Sequence, residues 1–250
     1  MLGVAACEKP APPNPYANLD LVPVPTKIAD IPLGPAVIST KTAILVHGKP
    51  VVSITNGDVD PADKDGLRLP KLTTALLAAP KATALVIALD RSTPYRIMID
   101  EMATAKAQGL TYKDFALVAL ATDTHEPTAL PIRLPETPRG AAINDGDVKP
   151  PIQMVVAATS KDFLVWSISG LEGTMQTPKL TVPLADPQAP EKVHAVLSDV
   201  VTRNFSGHLP DDQHEVLFMG SDALPASTFL PMMVAMHGVF PDIQLASGFQ

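Results

Sequence analysis

The sequence predicts an α+β fold of two tandem two-layer domains, each with its helices on one face of a small mixed sheet. Three observations carry that expectation. Apolar runs of strand length alternate with apolar stripes at helical spacing. The same order of elements occurs twice along 250 residues, a length that suits one large or two ordinary domains. The composition is 46% hydrophobic but only 4% aromatic, so a sizeable core can form, built from Ala, Val, Leu, Ile and Met.

Residues 1–34 read as a start followed by a proline-rich tether, punctuated by Pro10, Pro12, Pro13, Pro15, Pro23, Pro25 and Pro32. The first domain is expected over 35–124. Ala43 to Val46 and Val51 to Ile54 are short β-branched runs around His47-Gly48-Lys49-Pro50, a hairpin signal. Leu69, Leu72 and Leu76 predict a short helix over about 69–79. Ala84 to Leu89 is a continuous apolar run, read as a central strand ending at Asp90. After Pro94, Met98, Met102 and Ala105 form a second helical stripe that stops near Gly109. Phe115 to Leu120 is a further buried-type strand.

A polar, proline-punctuated connection follows, and the linker is placed at 125–149. The second domain, 150–250, repeats the order. Met154 to Ala157 and Phe163 to Trp166 flank a second hairpin signal. Val193, Val196, Leu197, Val200 and Val201 give a helical face. Val216 to Met219 is a strand closed by Asp222 and Pro225. Phe229, Met233, Met236 and Phe240 form the last stripe, with Pro231 placing that helix's start near Thr228, and Ile243 to Leu245 the last strand. A shift of 131 residues lays Pro94 on Pro225, Met98 on Phe229 and Met102 on Met233, with a one-residue slip between Asp90 and Asp222.

Chemistry-bearing patterns are sparse. The formal charge of −7, with no cluster of Lys and Arg, excludes a nucleic-acid partner, which needs a basic face. His47, His125, His194, His208, His214 and His237 show no metal-ligand spacing. His208, Asp211, Asp212 and His214 read as a solvated loop. Ser167-Ile168-Ser169-Gly170 lacks the glycine pattern of a nucleophile elbow, and Asn56 to Pro61 lacks the later Glu of a calcium loop. No catalytic residue, metal or cofactor is expected. No segment reads as a membrane span: Ala223 to Pro241 has no formal charge but contains Pro225, Pro231, Ser227, Thr228, His237 and Gly238.

The single cysteine, Cys7, forbids an intramolecular disulfide. Val4-Ala5-Ala6-Cys7 resembles the lipobox of bacterial lipoproteins, with only six residues ahead of the cysteine. That resemblance implies lipidation at Cys7 and a periplasmic protein held to a membrane by lipid. The alternative is an ordinary terminal cysteine.

Leu85-Val86-Ile87-Ala88-Leu89-Asp90-Arg91-Ser92-Thr93-Pro94-Tyr95, then Ile97, Asp100, Met102, Ala105 and Gly109 before a strand, resembles the periplasmic domain of the ExbD/TolR family. Ser221-Asp222-Ala223-Leu224-Pro225 and the helix with Met233 repeat it, with Ala226 in place of Tyr95. Asp90, Pro94, Tyr95, Asp222 and Pro225 are thus expected to form a structural corner, with Asp90 or Thr93 capping the first turn of the helix. The family's N-terminal membrane helix and its proton-carrying aspartate have no counterpart in this sequence. The resemblance implies a non-catalytic accessory of a proton-driven biopolymer transport system, binding an envelope protein such as a motor subunit, or a second copy of itself. A substrate- or peptidoglycan-binding lipoprotein is the other reading.

Overall fold

The computed structural model describes residues 15–134, 152–210 and 213–246. Strands β1 (Pro23–Val24), β2 (Ala36–Ser39), β3 (Ala43–Val46), β4 (Lys49–Thr55) and β5 (Asp58–Val59) come first. Helix α1 (Pro70–Leu77), β6 (Ala84–Leu89), α2 (Tyr95–Ala105), β7 (Asp114–Ala121) and β8 (Glu126–Ile132) complete the first half. The second half contains β9 (Met154–Ala158), β10 (Asp162–Ser167), β11 (Leu180–Pro183), α3 (Ala189–Phe205), β12 (Glu215–Gly220), α4 (Ala226–His237) and β13 (Asp242–Ala246).

The fold is α+β, with two mixed sheets. The first runs β1-β7-β6-β2-β3-β4-β5, with β8 also on β7; the second runs β11-β10-β9-β12-β13. Within them lies one repeated frame. In both, a first strand pairs antiparallel with the next and parallel with the strand after the first helix, which pairs parallel with the strand after the second helix. The shift from Ala84 to Glu215, 131 residues, holds through the following helices, Tyr95 onto Ala226. Over β2–β3 and β9–β10 the shift is 119, from Ala43 to Asp162. At that shift Thr40 and Thr159 close the two hairpins identically. Each hydroxyl accepts from the backbone two and three residues on and donates to the carbonyl three residues on.

Alternation along the strands builds the layers. Leu85, Ile87 and Leu89 of β6 face a common core with Phe218 of β12, and residues of all four helices join it. Val86 and Ala88 face the opposite way, into a cluster without any helix residue, as do Val155 and Ala157 of the second sheet. All helices therefore lie on one face of each sheet. The core is one body across both halves, and α2 sits in its middle: nine of its residues are buried, around the whole helix.

Several expectations need correction. The hairpin of β9 and β10 matches β2 and β3, not β3 and β4, because the strand at Ala36–Ser39 is short and follows prolines. The first hairpin turns on His47-Gly48 alone, both at positive φ, and Lys49 and Pro50 belong to β4. Residues 16–31, inside the stretch read as tether, are not free chain: Tyr16, Leu19, Leu21 and Ile31 cover the outer face of the first sheet. Residues 126–132, inside the stretch read as linker, form β8, whose alternation is hidden by Pro127 and Pro131. Helix α4 starts at Ala226 and runs through Pro231. Its first turn tightens, with the Thr228 amide reaching the Pro225 carbonyl at 2.9 Å, which lets a proline follow without breaking the helix. Cys7 lies outside the described residues.

Candidate functional site

The two strand–proline–helix corners meet face to face. Pro94 and Pro225 form an antiparallel bridge. The Tyr95 amide donates to the Leu224 carbonyl at 2.8 Å, and the Ala226 amide to the Thr93 carbonyl at 2.9 Å. The Arg96 amide donates to Asp222 at 3.1 Å, and the Ser227 amide to Arg91 at 2.9 Å. Under the 131-residue shift each bond maps onto its partner, so the joint has a local two-fold axis.

A physical need explains the pairing. The first amides of a helix have no partner within it, and a proline at the N-cap offers no side-chain acceptor. Helices α2 and α4 are both capped by proline without a side-chain cap bond. Each half supplies the carbonyls that the other half's helix lacks. The expected cap is thereby corrected: the Asp90 carboxylate accepts from the Ser92 amide and hydroxyl at 3.0 and 2.6 Å, shaping the turn. The Thr93 hydroxyl turns to the Ser39 carbonyl. The slip between Asp90 and Asp222 also disappears. Ser221 is the true counterpart of Asp90, since their amides bond to Ala158 and Ser39, equivalent ends of the first strands.

Tyr95 locks the joint from inside. Its ring is fully buried, edge-on to Phe218 at 5.6 Å and to Phe229 at 5.4 Å. Its hydroxyl donates to the Ala246 carbonyl at 2.9 Å, so a first-half side chain ends in the second half's last strand. Burial pushes that hydroxyl above the usual phenol range. A Cβ on Gly220 would meet the Tyr95 ring at 2.8 Å, so glycine there is a space requirement. A second seam lies at the sheet edges, where the Arg133 amide donates to Ile243 at 2.8 Å and the Leu245 amide to Arg133 at 2.9 Å.

No family model, no curated protein and no solved structure matches the chain.

A charged cleft of ≈ 440 Å³ opens beside the joint, lined in part by Asp58, Lys64, Arg96 and Asp222. Its charges are mutually engaged. Arg96 holds Asp100 at 3.0 Å and Asp222 of the second half at 2.9 Å. Lys64 holds Asp58 at 2.7 Å and stands 3.1 Å from Asp100 Oδ2, a close ion pair without hydrogen-bond alignment. Asp100 has no exposed side-chain surface; burial raises its carboxyl pKa, against the pull of Arg96 and Lys64. Next to it Glu101 is wholly buried, accepting a hydrogen bond from the Ser39 hydroxyl. These groups were not legible as a site. Asp100-Glu101 reads as the solvated side of an amphipathic helix, yet Glu101 packs toward Ser39 of β2 and Asp100 is enclosed by Arg96 and Lys64.

No group of three or more metal-ligating side chains exists among the described residues. Likewise, among them, no helix is long and apolar enough to cross a membrane. What the joint can do chemically is hold surfaces together, because its donors and acceptors are already paired.

Proposed function

We propose that this protein is a non-catalytic component of a bacterial cell envelope, accessory to a proton-driven biopolymer transport system of the ExbD/TolR type, and that it acts by binding protein. The observation that carries the reading is the corner. The strand–Asp–Pro–Tyr–helix segment that resembles that family has a strand–proline–helix counterpart in the second half on the same strand topology, with Ser221 and Ala226 in place of Asp90 and Tyr95, and the two corners pair about a local two-fold axis. A domain that pairs with its own copy is suited to assembly with related domains. Lipid on Cys7 would hold it at a membrane surface in the periplasm, which suits a partner to a membrane-embedded motor; a buried acyl chain contributes about 0.8 kcal/mol per methylene.

Edge addition at the outer strands is disfavoured. β5, at the outer end of the first sheet, has only two residues, and Pro183 in β11 removes a backbone donor from the outer strand of the second. The loop after β10 is better suited to a partner: Ile168, Leu171 and Met175 are 60%, 64% and 45% exposed. Buried Glu172 braces that loop through Lys179 at 2.6 Å, Asn204 at 2.7 Å and Arg203 at 3.0 Å.

The test is crosslinking and co-purification from the native envelope, run beside a pull-down on isolated peptidoglycan. Capture of a motor subunit or an ExbD/TolR-type protein is expected. Retention by peptidoglycan alone would replace this reading with the glycan-binding one, and substrate turnover by the purified chain would overturn both.

A further inference from the structure

Glu101 sits where the fold has no need of a charge. In the second half, Ser39 and Glu101 are replaced by Ala158 and Met232, an apolar pair in the same frame. Both second-half residues are fully buried, so a methionine against an alanine fills this place well. The first half instead has a carboxyl group with one hydroxyl donor on Oε1 and no hydrogen-bond partner on Oε2. An uncompensated buried carboxylate is costly, and protonation is the ordinary escape.

The surrounding charges do not rescue it. On α2 its neighbour is the Asp100 carboxylate, and Arg96 is turned to Asp100 and Asp222. From the segment after β5, Lys64 is turned to Asp58 and Asp100. On β2 only the neutral Ser39 hydroxyl faces it, and at the end of β6 Asp90 is occupied by Ser92.

Two short routes lead from Glu101 to the joint. Ser39 bonds Glu101 with its hydroxyl, while its carbonyl accepts from the Asp90 amide and the Thr93 hydroxyl. The Thr93 carbonyl in turn accepts the Ala226 amide of the second half. By the other route, Asp100 is clasped by Arg96, which also holds Asp222.

We propose that Glu101 is a proton-binding group that governs how firmly the two halves are clasped. With the proton bound, α2 seats against β2 and both corners close. With the proton lost, a second carboxylate beside Asp100 faces a dry core, and the corner opens to hydrate it. Burial, aided by the Asp100 charge and opposed by the Ser39 bond, pushes the Glu101 carboxyl up to about 8, so this change falls in the neutral range.

Amide hydrogen exchange on the full chain tests this, corrected for intrinsic rates between pH 6 and 9. The reporters are the Tyr95, Arg96, Ala226 and Ser227 amides, with the Val156 amide of β9 marking global unfolding. Corner protection is expected to lie below that of Val156, to fall about tenfold or more from pH 6 to 8, and then to level off. In Glu101→Gln the fall disappears. The double variant Ser39→Ala/Glu101→Met, which installs the second half's own pair, should be flat as well, and it decides the matter should the amide variant fail to fold. A flat profile in the natural chain, an equal fall in a folded variant, or corner protection equal to that of Val156 at every pH would overturn the proposal.

Discussion

Among the described residues each half buries one glutamate, and the two meet opposite fates. Glu172 is 6% exposed yet receives hydrogen bonds from Lys179, Arg203 and Asn204. Burial pushes its carboxyl up, but those bonds outweigh it and hold the group down at about 2. Glu101 receives one bond, from Ser39, and stands beside another carboxylate, so burial prevails. The sign of each shift therefore follows the balance between depth of burial and the number and charge of the donors. The same contrast runs along α2 and α4. Tyr95, Asp100 and Glu101 stand where α4 has Ala226, Pro231 and Met232. One frame thus carries a polar, charge-bearing copy and an apolar one, and the joint uses side chains from the polar copy.

That asymmetry puts the largest effect on the side chain that crosses the joint. Tyr95→Ala should cost about 3–5 kcal/mol, the range for deleting a buried aromatic, as read from urea denaturation. A loss below about 1 kcal/mol would mean that the ring does not bind the halves together.

The two glutamates should give opposite pH slopes. The Glu101 pKa is raised on folding, so its contribution is full below its unfolded value and is lost as pH rises toward about 8. The Glu172 pKa is depressed, so its contribution is present above the unfolded value and is lost as pH falls toward about 2. Each slope approaches roughly 1.4 kcal/mol per pH unit within its window. Glu101→Gln should flatten the profile between pH 5 and 8, whereas Glu172→Gln should flatten it below pH 4. Interchanged effects would show that the donor sets have been misassigned.

Smaller changes sharpen the helix comparison. Pro231→Ala should stabilise by about 1 kcal/mol, since it restores a donor toward the Ser227 carbonyl inside α4. A destabilised variant would show that the proline's shape is needed in the packing. Asp222→Ala should cost only about 0.5 kcal/mol, because Asp222 is 49% exposed and solvent screens its pair with Arg96. Thermal melts of both variants against the natural chain supply the measurement.

The frame was largely readable from local signals. Runs such as Ala84 to Leu89 and stripes such as Val193 to Val201 identify their own elements, and the 131-residue shift found the duplication. What escaped was set by tertiary contact. β2 and β11 have four residues each, too few for periodicity, and β8 is masked by its two prolines. The corner residues Pro94, Tyr95, Asp222 and Pro225 were singled out, but their pairing with each other depends on distance in space rather than spacing in sequence. Asp100 and Glu101 are unremarkable until Ser39, Lys64 and Arg96, distant in sequence or on the next turn, close around them.

Through their paired corners, two copies of one domain have become a single cooperative body. Differential scanning calorimetry tests it most directly. The natural chain should unfold in one transition whose calorimetric and van't Hoff enthalpies agree, while Tyr95→Ala should separate it into two. Two independent transitions in the natural chain, with the Tyr95→Ala trace unchanged in shape, would contradict the account.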